Sequence, residues 1–352
     1  MSTTLSPFTA LPDDVLQRVL VGVLLDDHPA TAAACRAFRD VIRGPRFLRL
    51  RREYGFAERG VIVVGQVVGQ EIIFGQELAE EPLEIHVAGN HRAMAVIEDL
   101  SSINPGGSTT DGGGRLFVSA RQSPTAANPS QILVLNASSR RWRRFAILPD
   151  QSLHCMEWHG GLLYVAGGVR QAEAGHIYLN TFRAFNEATG LWEDLPPMPH
   201  ACGFAASGVI GNQLFIAGGM TTGDYHNQPL STLQIYDFTT RTWRIGQRLP
   251  RTEIMACGIV VGDGRLYLVA SNAYSMKAYD VQSNTWTDLV RPPLQDCNVM
   301  HAFAHNGSIV VVYANGTAFH RGTESADWSP FDSCVPIEYW PMCGVAESVI
   351  LG

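Results

Sequence analysis

Tryptophan recurs along most of this chain at nearly constant spacing, and this spacing constrains the fold more than any other feature. Short apolar runs that end in a glycine pair lie between the tryptophans, as in LLYVAGG at 162–168 and LFIAGG at 214–219. Repeats of about 40 to 50 residues that contain only strands and turns are typical of β-propellers, in which each repeat forms one blade. The recurring residues are Trp142, Trp192, Trp243, Trp286 and Trp328, at intervals of 50, 51, 43 and 42 residues.

The glycine pairs and the tryptophans are expected to have separate structural roles in such a repeat. A glycine after a buried strand is expected where φ is positive or where backbones crowd together. A tryptophan at a constant offset is expected to pack between adjacent blades, where its large apolar surface is removed from water. The glycines that we expect to fill these positions are Gly167, Gly168, Gly218 and Gly219.

The length of the repeat region predicts six blades, closed by the C-terminal strand. Residues 58–352 number 295, which gives about 49 residues per blade, close to the tryptophan spacing. The first blade lacks a tryptophan and is expected to use apolar runs between residues 60 and 89. The C-terminal run CGVAESVIL at 343–351 is expected to return and complete it, which leaves no free sheet edge. The segment SSINPGGSTTDGGG at 101–114 is predicted to be a loop.

Composition excludes several classes of protein. The 352-residue chain has a net charge of −7, whereas a nucleic-acid-binding domain usually carries a basic face. Its N-terminus lacks the pattern of a signal peptide, and no apolar run approaches the roughly 20 residues that cross a bilayer. The seven cysteines form no CxxC pair. We therefore expect no metal, no cofactor, no nucleic-acid or membrane partner, and residence in the cytoplasm or nucleus.

The repeat region resembles the kelch repeat, in which a glycine pair follows a short apolar strand and is followed by Tyr-Asp and then by tryptophan. The repeats that end in Trp192 and Trp243 match this pattern, whereas the repeat of Trp142 has Ser119-Ala120 in place of the glycine pair. The resemblance implies an all-β kelch propeller. It also implies that loops after the glycine pairs and before each first strand bind a protein substrate. The residues in those loops that we select are Arg170, His176, His200, Asp224, Tyr225, His226, Arg251 and Tyr274.

The N-terminal region, residues 11–47, differs from the repeats. It begins with Pro12 and an acidic pair, which favour a helix start. Apolar residues then follow helical periodicity in two runs, 15–24 and 35–42, separated by a break at 26–29. Periodicity alone allows two interpretations, a helical cap on the propeller or a module that docks on another protein.

This N-terminal region resembles the F-box. The matching segments are LPDD at 11–14, ACRAFR at 34–39 and GPRF at 44–47, with Phe38 where the family usually has tryptophan and Leu24 where proline often occurs. The resemblance predicts a small α-helical F-box at 8–50, a linker at 51–59 and the propeller at 60–352. F-box–kelch proteins are abundant in land plants.

The combined resemblance implies a role in ubiquitin transfer. F-box proteins dock on a Skp-type adaptor and, through it, on a cullin and a RING protein, and the second domain holds a substrate for ubiquitination and proteasomal degradation. Catalysis is then by proximity, and this chain contributes no catalytic residue. The residues that the resemblance places at the adaptor are Leu11, Pro12, Val15, Leu16, Val19, Leu20, Cys35, Phe38, Val41 and Ile42.

Two alternatives remain from sequence. One is a kelch scaffold that does not assemble into a ligase. The other is a propeller enzyme, for which His301 and His305 could share one strand face, although no P-loop, dinucleotide-binding or nucleophile-elbow motif is present.

Overall fold

The computed structural model describes most of the repeat region and little of the N-terminal region. The chain divides into two compact units, Met1–Gly60 with Ile350–Gly352, and Val61–Val349. The described residues are 20, 47, 50, 59–64, 85–86, 94–95, 103–120, 130–136, 141–148, 151–172, 175–222, 227–250, 256–262, 264–270, 275–295, 297–313, 315, 317–331 and 345–350.

Five four-stranded antiparallel sheets follow one another along the chain, and we call them blades 1 to 5. Blade 1 consists of β4 (Ile103–Thr110), β5 (Arg115–Ala120), β6 (Ser130–Asn136) and β7 (Arg141–Leu148). Blade 2 consists of β8 (Cys155–His159), β9 (Leu162–Ala166), β12 (Phe182–Asn186) and β13 (Leu191–Asp194). Blade 3 consists of β14 (Ala206–Ile210), β15 (Gln213–Ala217), β18 (Leu233–Asp237) and β19 (Thr242–Ile245). Blade 4 consists of β20 (Ala256–Gly262), β21 (Arg265–Ala270), β22 (Met276–Asp280) and β23 (Thr285–Asp288). Blade 5 consists of β24 (Val299–His305), β25 (Ser308–Tyr313), β26 (Ala318–Gly322) and β27 (Ser329–Pro330).

Strands within each blade pair in chain order, and the first strands of neighbouring blades lie next to one another. The neighbouring pairs are β4 with β8, β8 with β14, β14 with β20, and β20 with β24. This succession forms an arc of neighbouring first strands, which we call the inner ring because first strands line the axis of a propeller. The second and third strands are the most buried, and in blades 2 to 4 a neighbouring blade lies on either side of them.

Two β-hairpins extend from the glycine pairs of blades 2 and 3. The first contains β10 (Val169–Ala172) and β11 (Gly175–Tyr178), and the second contains β16 (Met220–Thr222) and β17 (Asn227–Pro229). Their first strands begin directly after Gly168 and Gly219. The sequence pattern predicts loops here, whereas backbone pairing forms strands over most of each segment.

The core consists of apolar layers between blades. Between blades 1 and 2, Phe117 stacks on Trp158 with centroids 4.8 Å apart and meets Phe145 edge-to-face at 4.9 Å. Between blades 2 and 3, Phe182 meets Tyr236 and Trp243 edge-to-face at 4.7 and 5.0 Å. Aromatic pairs in these geometries add to the free energy gained by burying their surface.

The repeated tryptophans of blades 2 to 5 contact the preceding blade, in agreement with the packing between blades that sequence spacing predicts. In blades 2 to 5 each indole N–H donates a hydrogen bond to a backbone carbonyl that lies at the end of the preceding blade or just after it. These bonds run from Trp192 to Ile147 (3.0 Å), Trp243 to Pro196 (2.8 Å), Trp286 to Gln247 (3.0 Å) and Trp328 to Val290 (3.2 Å). For Trp142 the structure describes only the backbone, which pairs with Leu135.

The glycine pairs occupy positions that other residues would not fit. Gly167, Gly168, Gly218 and Gly219 all have positive φ, at 63°, 107°, 67° and 86°. A Cβ on Gly167 would lie 2.4 Å from the carbonyl oxygen of Cys202, and one on Gly168 would lie 2.6 Å from that of Ser152. Both the conformation and the close backbone approach that sequence predicted are therefore confirmed.

Two expectations about the repeat region, the number of blades and the conformation of residues 101–114, need correction. The described residues contain five four-stranded blades rather than six. The segment expected to be a loop at 101–114 contains β4, in which Ile103 and residues 108–110 pair with β5 on either side of an irregularity. Gly107 fits this strand because a Cβ there would lie 2.6 Å from that of Ser119.

The predicted pairing of the two ends of the repeat region is confirmed. β1 (Arg59–Val64) and β28 (Val345–Ile350) form a two-stranded sheet. A further short pair joins β2 (Ile85–His86) to β3 (Met94–Ala95). The run at 71–76, expected to contribute to the same blade, lies outside the described residues.

The described part of the N-terminal unit is small. Leu20, Phe47 and Leu50 have helical conformation, and Leu20 and Phe47 are buried. The predicted F-box helices otherwise lie outside the described residues and stay a prediction. In the part of the chain that the structure describes, no helix has the length and apolar character needed to cross a bilayer.

Candidate protein-docking face

The two hairpins lie at the same end of blades 2 and 3. In blade 2 the Gly167 N–H donates to the Thr181 carbonyl at 2.8 Å, and the Leu179 N–H donates to that of Gly168 at 2.9 Å. In blade 3 the corresponding bonds run from Gly218 to Thr232 at 3.0 Å and from Leu230 to Gly219 at 2.9 Å. Backbone bonds at the hairpin bases thus give both hairpins the same starting geometry.

The hairpins lie side by side, since β11 neighbours β16. Arg170 on β10 and His176 on β11 are exposed, and Ile177 exposes 42% of its surface although it is apolar. Thr222 and Gln228 are exposed on the second hairpin. We call this surface of the two hairpins the hairpin face, and its mixture of a cation, an imidazole, an apolar side chain and polar groups suits protein contact.

The linker between blades 2 and 3 lies at the same end of the molecule. Its Cys202 carbonyl accepts a hydrogen bond from Gly168 at 2.7 Å. The backbone of His200 is held by Gln234, whose side-chain oxygen accepts its N–H at 2.8 Å and whose amide donates to its carbonyl at 3.2 Å. The His200 side chain is exposed, so a fixed backbone presents it at this end of the propeller.

Two bulky residues before the first strands have left-handed backbone conformations. Leu153 has φ 54° and Phe204 has φ 56°, and the Phe204 N–H donates to the Leu153 carbonyl at 3.1 Å. Such conformations are uncommon for residues with large side chains. They occur at equivalent places in blades 2 and 3, where the chain enters the inner ring.

The structure brings three of the eight selected substrate-binding residues to one end of the propeller, namely Arg170, His176 and His200. The remaining five lie outside the described residues and stay predictions: Asp224, Tyr225, His226, Arg251 and Tyr274. Sequence analysis did not select Ile177, because a single isoleucine in a polar segment gives no signal of exposure.

The ten predicted adaptor contacts are described at one position only. Leu20 exposes 4% of its surface, so it lies within a core. The other nine lie outside the described residues: Leu11, Pro12, Val15, Leu16, Val19, Cys35, Phe38, Val41 and Ile42.

The histidines considered for a catalytic site are buried. His301 and His305 lie on β24, and the His305 ring meets Phe331 edge-to-face at 5.9 Å. Among the described residues, no group of three or more histidine, cysteine or acidic side chains is arranged to hold a metal ion.

A carboxyl group in the inner ring was not selected from sequence. Glu157 on β8 is partly buried, and its Oε1 accepts a hydrogen bond from Ser207 Oγ of β14 at 2.7 Å. Its Oε2 accepts a longer one from Thr109 Oγ1 of β4 at 3.5 Å. Removal from water raises the Glu157 pKa from 4.5 to about 7, although both hydrogen bonds act in the opposite direction. The local sequence CMEWH contains no pattern from which the position and partners of Glu157 could be predicted.

Comparison with known proteins supports the repeat assignment. The Kelch motif model matches residues 152–199 and 201–250, which are blade 2 and blade 3 with their linkers. No F-box model matches the chain. The F-box/kelch-repeat protein At5g26960 of Arabidopsis thaliana is 22% identical over 310 residues, which cover 81% of this chain and 70% of that protein.

Other similarities are confined to shorter regions. Kelch-like protein 23 of Homo sapiens is 23% identical over 223 residues, which cover 62% of this chain but only 38% of that protein. The solved structure of YjhT has a TM-score of 0.49 and 16% identity over 60% of this chain and 72% of that one. The chain thus contains two kelch motifs and is similar, at low identity, to plant F-box/kelch-repeat proteins.

Proposed function

We propose that this chain is the substrate-recognition subunit of an SCF-type ubiquitin ligase. In this proposal residues 8–50 form an F-box that binds a Skp-type adaptor and, through it, cullin and RING subunits. Residues 51–59 are a linker, and residues 60–352 bind the protein to be ubiquitinated and degraded. The chain works in the cytoplasm or nucleus and has no catalytic residue of its own.

The observation that carries the proposal is the order of motifs along one chain. LPDD, ACRAFR and GPRF at 11–47 precede kelch repeats, and similarity to an F-box/kelch-repeat protein covers 81% of the chain. A propeller that presents a mixed polar and apolar face has the form of a protein-binding module.

The adaptor half of the proposal is tested by co-purification with a Skp-type adaptor. We expect the wild type to bind, and Leu16→Asp or Val19→Asp to abolish binding because a charge would enter an apolar contact. Each variant should retain the thermal unfolding transition of the propeller. If both variants still bind the adaptor as the wild type does, the F-box assignment is wrong.

The substrate half is tested on the hairpin face. We expect Arg170→Glu and Ile177→Asp to reduce capture of substrates in proximity labelling by a chain that lacks residues 1–50. Leu191→Asp is the matched control, because Leu191 is 68% exposed but lies at the opposite end of blade 2, paired with Asn186. Equal loss of labelled proteins in all three variants would place the substrate elsewhere.

A kelch scaffold without ligase assembly is the second candidate. It is favoured by the similarity to Kelch-like protein 23, whose name includes kelch but no F-box. A wild-type chain that binds substrates through the hairpin face but never binds an adaptor would support this candidate instead.

A further inference from the structure

Lysine is almost missing from this sequence. It has 26 lysine and arginine residues together, and since Lys277 is the only lysine, the other 25 are arginines. Lysine is normally among the commonest residues of soluble proteins. Both side chains carry a positive charge, but lysine alone carries the amine to which ubiquitin is joined. The sequence therefore keeps its cations and offers a single side-chain amine.

Lys277 is buried in blade 4. It lies on β22, where it pairs with Leu268 of β21 and Asp288 of β23. Its side chain exposes 3% of its surface, whereas lysine is almost never buried unless it is paired. Residues directly opposite each other point to the same side of a sheet. Lys277 thus lies on the side of Leu268, which belongs to the apolar layer between blades 3 and 4.

The buried ammonium is compensated by a carboxylate at the surface. Lys277 Nζ lies 2.5 Å from Asp288 Oδ1, and the Asp288 side chain is 81% exposed. Loss of one partner would leave a buried ammonium without this counter-ion, which is strongly destabilising. The ion pair therefore holds Lys277 in its covered position.

The equivalent position in other blades shows that the fold does not require a lysine here. In blade 2, Arg183 pairs with Asp194 in the same register, with Nε and Oδ1 2.6 Å apart. In blade 3 the position is occupied by Gln234, which is also buried. Arginine and glutamine are thus both compatible with this place in a blade.

Ubiquitin transfer needs an amine that is free to move. The neutral amine attacks the thioester carbon that joins ubiquitin to a cysteine of a conjugating enzyme. The C–N bond forms, the C–S bond breaks, and a proton passes from the amine to the leaving thiolate. An amine buried beside Leu268 and paired with Asp288 reaches such a carbon only when blade 4 opens locally.

We propose that Lys277 is a concealed ubiquitin acceptor, which pairing with Asp288 hides in the folded propeller and opening of blade 4 exposes. This inference rests on the proposed function, which places the chain beside a ubiquitin-charged enzyme. The folded chain then escapes modification by its own ligase, whereas a chain with a damaged blade 4 is marked for degradation.

Amine labelling tests the concealment without any ligase subunit. The probe is the N-hydroxysuccinimide ester of acetic acid, and mass spectrometry measures the rate at each lysine. Lys277 should react at least about 100-fold more slowly than the lysine introduced by Arg248→Lys, at an exposed position after blade 3. Asp288→Asn should accelerate labelling of Lys277 at least about tenfold, because the ammonium loses its counter-ion. The matched Asp194→Asn, which breaks the equivalent pair of blade 2, should leave the rate unchanged.

Two results of this labelling would overturn the proposal. One is a similar rate at Lys277 and at the introduced lysine in the folded chain. The other is an equal effect of Asp288→Asn and Asp194→Asn, since the pair with Asp288 would then not be what conceals Lys277.

Ubiquitination is then measured with the adaptor, cullin, RING protein and charged conjugating enzyme. We expect no ubiquitin on the folded wild type, but modification of Arg144→Lys or Arg248→Lys, which place lysine at exposed positions. Asp288→Asn should be modified at Lys277, and adding Lys277→Gln should abolish this modification.

The two proposals fail in different ways. Ubiquitin on the folded wild type, or none on either variant with an introduced lysine while the adaptor is bound, would overturn the concealed acceptor. A chain that never binds the adaptor would refute the proposed function instead, and amine labelling would still decide whether Lys277 is concealed.

Discussion

Gly167→Ala tests whether the glycine pair is required by backbone geometry. Gly167 has φ 63°, and an alanine Cβ would lie 2.4 Å from the Cys202 carbonyl oxygen and 2.8 Å from the Met198 Cε. The Cys202 carbonyl cannot move freely, because it accepts the Gly168 N–H at 2.7 Å. Alanine at this site would therefore displace the linker between blades 2 and 3.

The expected cost has three parts. The left-handed conformation costs an alanine about 1 kcal/mol. Overpacking against fixed atoms costs about 1–3 kcal/mol, and weakening the bond from Gly168 to Cys202 costs about 1 kcal/mol. We expect Gly167→Ala to lower the free energy of unfolding by about 3–5 kcal/mol in total.

Gly190→Ala is the control. Gly190 has φ 69°, almost the same as Gly167, but no described residue lies within 4 Å of its Cβ position. It should lose only the conformational part, about 1 kcal/mol. Both variants are measured by urea unfolding with tryptophan fluorescence. Equal losses would refute the argument that close approach of the Cys202 carbonyl, rather than positive φ, dominates at Gly167.

Three further outcomes follow from the structure. Trp243→Phe should lower the free energy of unfolding by about 1 kcal/mol in urea titrations, because the Pro196 carbonyl loses its indole donor. Trp243→Ala, which also removes the packed ring, should lower it by at least about 3 kcal/mol. Equal losses would mean that the hydrogen bond is the main contribution of Trp243. Asp237→Ala should lower the melting temperature, but Asp237→Asn should not. The Asp237 carboxylate accepts hydrogen bonds from two backbone N–H groups at 2.9 Å, and an amide oxygen can accept the same bonds. Asn186 accepts such a bond with its amide oxygen in blade 2. His154 is 1% exposed and has no hydrogen-bond partner among the described residues, and burial lowers its pKa from 6.5 to about 4. Because the unfolded chain binds a proton here more readily than the folded protein does, stability falls by up to about 3 kcal/mol as pH drops from about 6.5 to about 4, and His154→Leu should flatten the acid side of the stability curve.

Sequence spacing predicted the regular part of this fold because each repeat carries its own signal. Trp192 and Trp243 mark blades whose strands, glycine pairs and linkers all appear where the pattern indicates them. The same reasoning failed for residues 103–110, where glycine, serine and threonine suggested a loop. That strand exists because β5 supplies its backbone partners and because Gly107 lets the inner ring pack closely. Local propensity contains neither of these tertiary effects.

The sequence indicated where the hairpin face begins, but not its structure. The positions after Gly168 and Gly219 indicated where variable segments begin, and Arg170 and His176 are exposed there. Local sequence does not show that these segments form adjacent hairpins or that Ile177 is exposed on the first of them. Glu157 shows the same limit, since its properties come from strands that lie about 50 residues away in either direction.

The pairing of β1 with β28 has a consequence for how the protein is made. A ribosome synthesises the chain from the N-terminus, so β1 emerges long before its partner β28. Until β28 has been synthesised, the edge of β1 that pairs with it stays unpaired. Bringing together segments so distant in sequence is slow, since a large loop must close first. Nascent chains, or chains cut short before residue 345, should therefore expose a strand edge that recruits chaperones or aggregates.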